Sequence, residues 1–148
     1  MKSMMLAFVL TLATAAGALA DVCAPAGVTD LHQDDTGYHT YVMEWTRTGD
    51  DGFTGNAASW EIRSSISVIT DTNWQNAPVL SSSPSNTCSP QDCASYTAKS
   101  CPDTLRYYVV FLFDAAGNRS PMSNVATGRA PCSGPFIEFE CYNPPFCY

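Results

Sequence analysis

"LRYYVVFLFDAAGNRSPMSN", residues 105–124, decides the fold. Its centre, Tyr107 to Phe113, is apolar at every position. A half-buried strand alternates apolar and polar residues, so a strand apolar at both parities has cover on both faces and lies inside a sheet. The run stops at Asp114-Ala115-Ala116-Gly117-Asn118, where Asp, Gly and Asn favour a turn. Working outward, "YVMEWTR" (41–47) sets Tyr41, Met43 and Trp45 against Val42, Glu44 and Thr46. "SWEIRS" (59–64) sets Trp60 and Ile62 against Glu61 and Arg63. This period of two marks a strand with one buried face. "GDDG" (49–52) supplies another turn, and no amphipathic stripe is long enough for a substantial helix. Short strands at this spacing predict an all-β antiparallel sandwich of about 100 residues. Trp45 and Trp60 are the expected core anchors, and Trp45→Ala should cost roughly 3–5 kcal/mol.

The two ends of the chain differ from this middle. Residues 1–20 read as a secretory signal peptide: Lys2, then the apolar run Met4–Ala13, then Ala18-Leu19-Ala20 as a small-x-small cleavage site. The run is too short to span a bilayer, and no second one follows, so no membrane insertion is expected. The last stretch, "PCSGPFIEFECYNPPFCY" (131–148), holds three of the seven cysteines, five aromatic residues, four prolines and no Lys or Arg. The expected organisation is therefore a signal peptide (1–20), a sandwich domain (21–131) and a Cys/aromatic-rich extension (132–148).

The formal net charge is −7, with seven basic residues in 148. That balance argues against nucleic acid as a partner, because phosphate contacts need clustered Lys and Arg. It argues equally against anionic membrane surfaces. An exported chain meets an oxidising compartment, so disulfides are the default for its cysteines. Seven is odd, so one thiol stays free or pairs with another molecule, and a disulfide-linked dimer is one expected outcome.

The order of these segments resembles a fibronectin type III domain. "PAGVTDL" (25–31) resembles the first strand and "YVMEW" the second, with its core Trp. "GDDGFTGNAASWEIRSS" resembles the following loop and third strand, and "ITDTNWQNAP" (69–78) the fourth-strand region. "LRYYVVFLFDAAGNRSPMSN" resembles the sixth strand, its turn and the start of the seventh. The likeness covers most of residues 25–130. It implies an immunoglobulin-like seven-stranded antiparallel β-sandwich and puts Tyr107 where the family has its tyrosine corner. The leucine that the family carries six residues earlier is Cys101 here, which suggests a disulfide in place of an apolar plug.

The topology implied by the resemblance sorts the cysteines by pole. Cys101 and Cys132 fall at one pole, which suggests that they pair. Cys23, Cys88 and Cys93 fall at the other, which suggests Cys23 with Cys88 or Cys93. Cys141 and Cys147 would close a local loop around Asn-Pro-Pro. The rival is a Cys88–Cys93 hairpin that leaves Cys23 free. With Tyr107 inward, Tyr108, Val110 and Leu112 point outward and form an apolar strip. Ile137, Phe139 and Cys141 alternate with Glu138 and Glu140 as a strand would, so the tail is expected to fold back and cover that sheet or its edge. The alternative is an exposed tail that recruits a partner.

Dedicated chemistry is thin. His32 and His39 belong to no metal-ligand spacing, and the cysteines repeat no CxxC unit, so no metal or cofactor is expected. The adjacent carboxylates of "TGDDG" and "HQDDTG" diverge in an extended chain and read as solvated turns rather than calcium loops. Ser120 and Ser123 lack a partner histidine for nucleophilic catalysis. Asn118-Arg119-Ser120 matches the N-glycosylation pattern, although Asn118 also suits the turn. The expectation is a secreted, non-enzymatic protein-binding, adhesion or scaffold module that meets an extracellular protein or glycan. Its contact residues would be Tyr108, Val110, Leu112, Phe136 and Phe139. The alternatives are an inhibitor or effector presenting the Cys141–Cys147 loop, and an accessory carbohydrate binder using aromatics such as Trp74.

Overall fold

The computed structural model describes residues 21–37, 40–84, 93–131 and 138–142, with side chains over 21–34, 42–82 and 105–128. Residues 1–20, expected to be a signal peptide, and Cys88, Cys132, Phe136 and Cys147 lie outside the described residues. The described residues form β1 (His32–Gly37), β2 (Thr40–Thr46), β3 (Ser59–Ser65), β4 (Val79–Pro84), β5 (Cys93–Phe113), β6 (Ala126–Pro131) and β7 (Glu138–Tyr142). One 3-10 turn, Trp74–Asn76, precedes β4. Among the described residues no helix is long and apolar enough to cross a membrane.

Among the described residues every strand pairing is antiparallel, and β5 takes part in four of the six. Its first part pairs with β2, from Thr46↔Cys93 to Thr40↔Lys99. On its other side that part pairs with β7, from Cys93↔Tyr142 to Thr97↔Glu138. β1 pairs with the outer edge of β2. The last part of β5 pairs with β3, from Ser65↔Tyr107 to Ser59↔Phe113, and β3 carries β4 beyond it. β6 lies on the other side, with its register shifting between Ser100 and Leu105. One 21-residue strand thus leaves the sheet β1-β2-β5-β7 and enters the sheet β4-β3-β5-β6. An irregular register is how a strand bends from one sheet to another.

These strands differ from the set that the resemblance assigns. Pro25–Leu31 forms no strand; its Pro25 makes only an isolated bridge to Gly52. Val28 and Leu31 are still buried, and the side chain of Asn124 stands in for a ladder there. Its Nδ2 donates to the Leu31 carbonyl at 2.8 Å, and its Oδ1 accepts from the Leu31 N–H at 2.8 Å. The expected fifth and sixth strands are one strand, β5. The tail does return as a strand, and it extends a sheet edge at Cys93–Thr97 rather than covering the apolar run at 107–113.

The main core joins both sheets. Met43 and Trp45 of β2, Trp60 and Ile62 of β3, and Tyr108, Val110 and Leu112 of β5 form one buried cluster with Val28, Leu31, Ala57 and Ala126. Trp45 and Trp60 meet with ring centroids 5.8 Å apart at 60°. The expected outward strip on β5 is therefore inward: Tyr108, Val110 and Leu112 are each 0 % exposed. Tyr107 points the other way, where it flanks a second buried cluster of Ile69, Ala77, Val109 and Phe111. The inner Tyr is Tyr108, and six residues before it stands Pro102 rather than Cys101.

Two buried serines finish the edge of β5 before β6 begins. The Ser120 Oγ accepts from the Leu112 N–H at 3.0 Å, and the Ser123 Oγ accepts from the Val110 N–H at 2.9 Å. Their own amides donate to the Leu112 and Val110 carbonyls. Both hydroxyls are thus structural, replacing ladder bonds that a buried strand cannot leave unmade.

Candidate functional site

One end of the sandwich is built from three segments: residues 21–26, the turn 49–55 and the turn 114–118. The 49–55 turn closes on itself, with the Asp50 and Asp51 amides donating to the Thr54 carbonyl at 2.7 and 2.9 Å. Gly49 is required by this closure, because a Cβ there would sit 2.2 Å from the Thr54 oxygen. The turn then clasps the chain start: the Ala26 N–H donates to the Gly52 carbonyl, and the Gly52 N–H donates to Ala24. The Thr48 hydroxyl donates to the Ala26 carbonyl at 2.7 Å.

The third segment locks onto the first through Asn118. Its Nδ2 donates to the Asp114 carboxylate at 2.6 Å and to the Asp21 carbonyl at 2.9 Å, and its N–H donates to Asp114 Oδ1 at 2.7 Å. Gly117 takes φ +89°, a left-handed conformation that a side chain resists. Asp114 is 3 % exposed. Burial pushes its carboxyl up, but bonds from the Asn118 side chain and from the Asn118, Ala116 and Gly117 amides outweigh that and hold it below the usual aspartate value.

This frame presents Val22 at 81 % and Phe53 at 67 % exposure. Beside them stand Asp21, Cys23 and Asp51, all exposed, with one donor atom of each within 4.8 Å of the others. The Asp51 carboxyl is raised, first by the Asp21 charge, then by burial and by Asp50 and Asp114. Two carboxylate oxygens and a sulfur are a donor set that zinc accepts, but all three groups are exposed, and exposed acidic clusters are common without an ion. Next to Phe53 a depression of about 260 Å³ is lined by Gly27, Asp30, Thr46, Arg47 and Thr48 among others. Its polar groups are largely consumed within the fold, since the Asp30 carboxylate accepts from the Thr46 N–H at 3.0 and 3.1 Å. The chemistry on offer is contact: two exposed apolar side chains in an acidic frame.

A second surface lies on the outer face of the sheet β4-β3-β5-β6. Trp74 is half-buried and packs on Phe111 with centroids 4.8 Å apart. The Arg119 guanidinium lies 4.0 Å from the Trp74 centroid and 4.4 Å from that of Phe111. Arg63 lies over the same indole at 5.0 Å, pairs with the Glu61 carboxylate and donates to the Ala77 carbonyl at 2.9 Å. Trp74 thus carries two guanidinium groups and does not offer the bare ring that stacking on a sugar requires.

The residues expected to carry function are dispersed. Tyr108, Val110 and Leu112 are in the core. Phe139 pairs with Tyr96 through its backbone, and its side chain lies outside the described residues. The side chains of Cys93, Cys101 and Cys141 do too, and Cys132 lies outside the described residues altogether. The Cys23 thiol is free and exposed, as in the alternative that leaves it unpaired; Cys88 and the side chain of Cys93 lie outside the described residues. The clasp by Gly52 and Asn118 holds it against Asp21 and Asp51. The Asn118 Nδ2 donates two hydrogen bonds, to the Asp21 carbonyl and the Asp114 carboxylate, so its side chain serves the turn. Sequence reasoning passed over Asp21, Val22 and Phe53, read Asp51 as part of a solvated turn, and met Arg119 only as the middle of a glycosylation pattern. The one signal was Phe53, a large apolar residue inside a Gly/Asp turn.

No family model matches the chain, and no curated protein matches it. Two crystal structures of pectate lyase Pel3 from Pectobacterium carotovorum resemble it with TM-score 0.49, at 13 % and 14 % identity, covering 68 % and 74 % of this chain and 26 % and 29 % of the lyase. Titin domains A168-A170 resemble it with TM-score 0.48 at 13 % identity, covering 72 % of this chain and 32 % of that one. The chain spans only about a third or less of each of these structures.

Proposed function

We propose that this protein is an exported, non-enzymatic binding module of the fibronectin type III kind, with a disulfide-rich C-terminal extension, and that it engages an extracellular protein. The signal-peptide layout and the cysteine content support export. The observation that carries the binding reading is the pair Phe53 and Val22, exposed at 67 % and 81 % on a frame whose backbone is hydrogen-bonded on all three segments. Apolar side chains held out on rigid turns lose little entropy on contact, which favours their use as anchors. Loops at one end of a sandwich are also where such folds commonly bind. Asp21 and Asp51 would select a partner with Lys or Arg beside its apolar pocket.

The test is to cross-link the secreted protein to intact cells and to the secreted proteins of its source, and to repeat this with Phe53→Asp. One partner band lost in the variant, at unchanged melting temperature, supports the reading. A band retained by both Phe53→Asp and the double variant with Val22→Asp overturns it. Non-reduced intact mass with thiol alkylation separates the roles of the cysteines: a monomer alkylated at Cys23 is expected, whereas a disulfide-linked dimer would make attachment, not surface contact, the function.

A further inference from the structure

The geometry points to Arg119 as a receptor for a single carboxylate, that of an Asp or Glu side chain on a partner protein, at a surface distinct from the Phe53 end. Arg119 is exposed, yet its guanidinium rests on Trp74 at 4.0 Å and on Phe111 at 4.4 Å. Phe111 is 0 % exposed, so the platform is fixed to the core. The backbone is fixed as well. Arg119 bridges to Phe113, and on either side the Ser120 N–H donates to Leu112 at 2.8 Å and Asn118 is bound to Asp114.

The two arginines on this indole differ in one respect. Arg63 is consumed by Glu61 and by the Ala77 carbonyl. Among the described residues, no group accepts a hydrogen bond from Arg119. A guanidinium held over aromatic rings keeps N–H donors at its edge, and their fork matches a carboxylate. The rotamer entropy that an exposed Arg would lose on binding is already lost, which is the condition for a strong contact. Trp and Arg are also two of the residue types enriched at the energetic centres of interfaces.

The charge of the ligand follows from the surroundings. Asp114 sits five positions away in the same turn, Asp21 is bonded to that turn, and the whole chain carries −7. This field opposes a doubly charged anion such as sulfate or phosphate about twice as strongly as a singly charged one. The planar, singly charged carboxylate is the oxyanion that fits both the fork and the field. A carboxylate alone would bind weakly here, so the site works as one contact within a protein interface.

The experiment is an NMR titration of the whole mature protein, following the Arg119 Nε–H and the Trp74 indole N–H. The probes are N-acetylglutamate methylamide, glucuronate, sulfate and, as ionic-strength control, chloride. Saturable shifts at both signals with the glutamate derivative, beyond those with chloride, are expected. Arg119→Lys keeps the charge over the ring and removes the fork, so it should weaken the response roughly tenfold, the worth of one charge-assisted bond. Unchanged melting temperature of Arg119→Lys shows that the loss is not unfolding. Absence of a saturable shift, or an equal response in Arg119→Lys, overturns the proposal. An equal or stronger response to sulfate overturns the carboxylate assignment, and an equal or stronger response to glucuronate overturns the protein source in favour of an acidic glycan.

Discussion

On one face of β5, Tyr108, Val110 and Leu112 lie against Trp45 and Trp60; on the other, Val109 and Phe111 lie under a turn whose Trp74 bears two arginines. The inner face is closed by a second sheet. Its Trp–Trp contact is wholly buried, so every atom removed there leaves a cavity or lost packing. The outer face is closed by one turn and by guanidinium groups that reach water at their edges. Equal burial of Val110 and Phe111, both 0 % exposed, therefore hides unequal roles. The inner face supplies cohesion. The outer face supplies a smaller cluster whose rim remains available for contact.

Truncating the tryptophans tests that division most severely. Trp45→Ala should cost roughly 3–5 kcal/mol in urea unfolding, a large share of the stability of a domain this size. Trp74→Ala removes a half-buried ring and two cation–π contacts, and should cost roughly 1–2 kcal/mol. Similar losses in the two variants would break the comparison and make the outer cluster a second core. A Trp74→Phe variant, which keeps the ring face under Arg119, should recover most of the smaller loss.

The end turns come next. Asn118→Ala deletes two side-chain bonds, one to Asp114 and one to the Asp21 carbonyl, and unclasps the chain start. Its melting temperature should fall by less than that of Trp74→Ala. The pH dependence should change in a definite direction. Asp114 is held below its usual 3.8, so its contribution is present above pH 3.8 and is lost as pH falls through the lowered value. Without Asn118 that loss should begin at higher pH. Melting curves that shift in parallel at all pH values would mean that Asn118 only braces Asp21.

The division between the faces was half legible in the residues. Trp45, Trp60 and Ile62 announce their side because Glu44, Glu61 and Arg63 occupy the other parity. "YYVVFLF" gives no such contrast, and assigning Tyr107 inward through the family resemblance inverted every residue of the strand, since a slip of one flips them all. Cys101-Pro102-Asp103 resembles a break between two strands, yet the backbone runs through it within β5. There the change of sheet absorbs the irregularity. The site was less legible still. Asp21, Asp51 and Asp114 are far apart in sequence, and the bonds from Asn118, Gly52 and Thr48 bring them together. Arg119 looked like the middle of a glycosylation pattern, and nothing local signals that Trp74 lies beneath it.

Asp51 gives the smallest effect and the sharpest test of the acidic end. The Asp21 charge and burial raise its carboxyl above 3.8, with Asp50 and Asp114 adding to the repulsion. For a raised carboxyl the favourable state is the protonated one: stability is complete below pH 3.8 and is lost as pH rises through the higher folded value. At neutral pH the ionised Asp51 therefore strains the end of the sandwich slightly. Asp51→Asn should raise the melting temperature a little at neutral pH and leave it unchanged at low pH. The gain should shrink as salt screens the exposed charges. If Asp51→Asn gains nothing at neutral pH and low salt, the carboxylates are too well solvated to repel, and the acidic end loses its claim to select a basic partner.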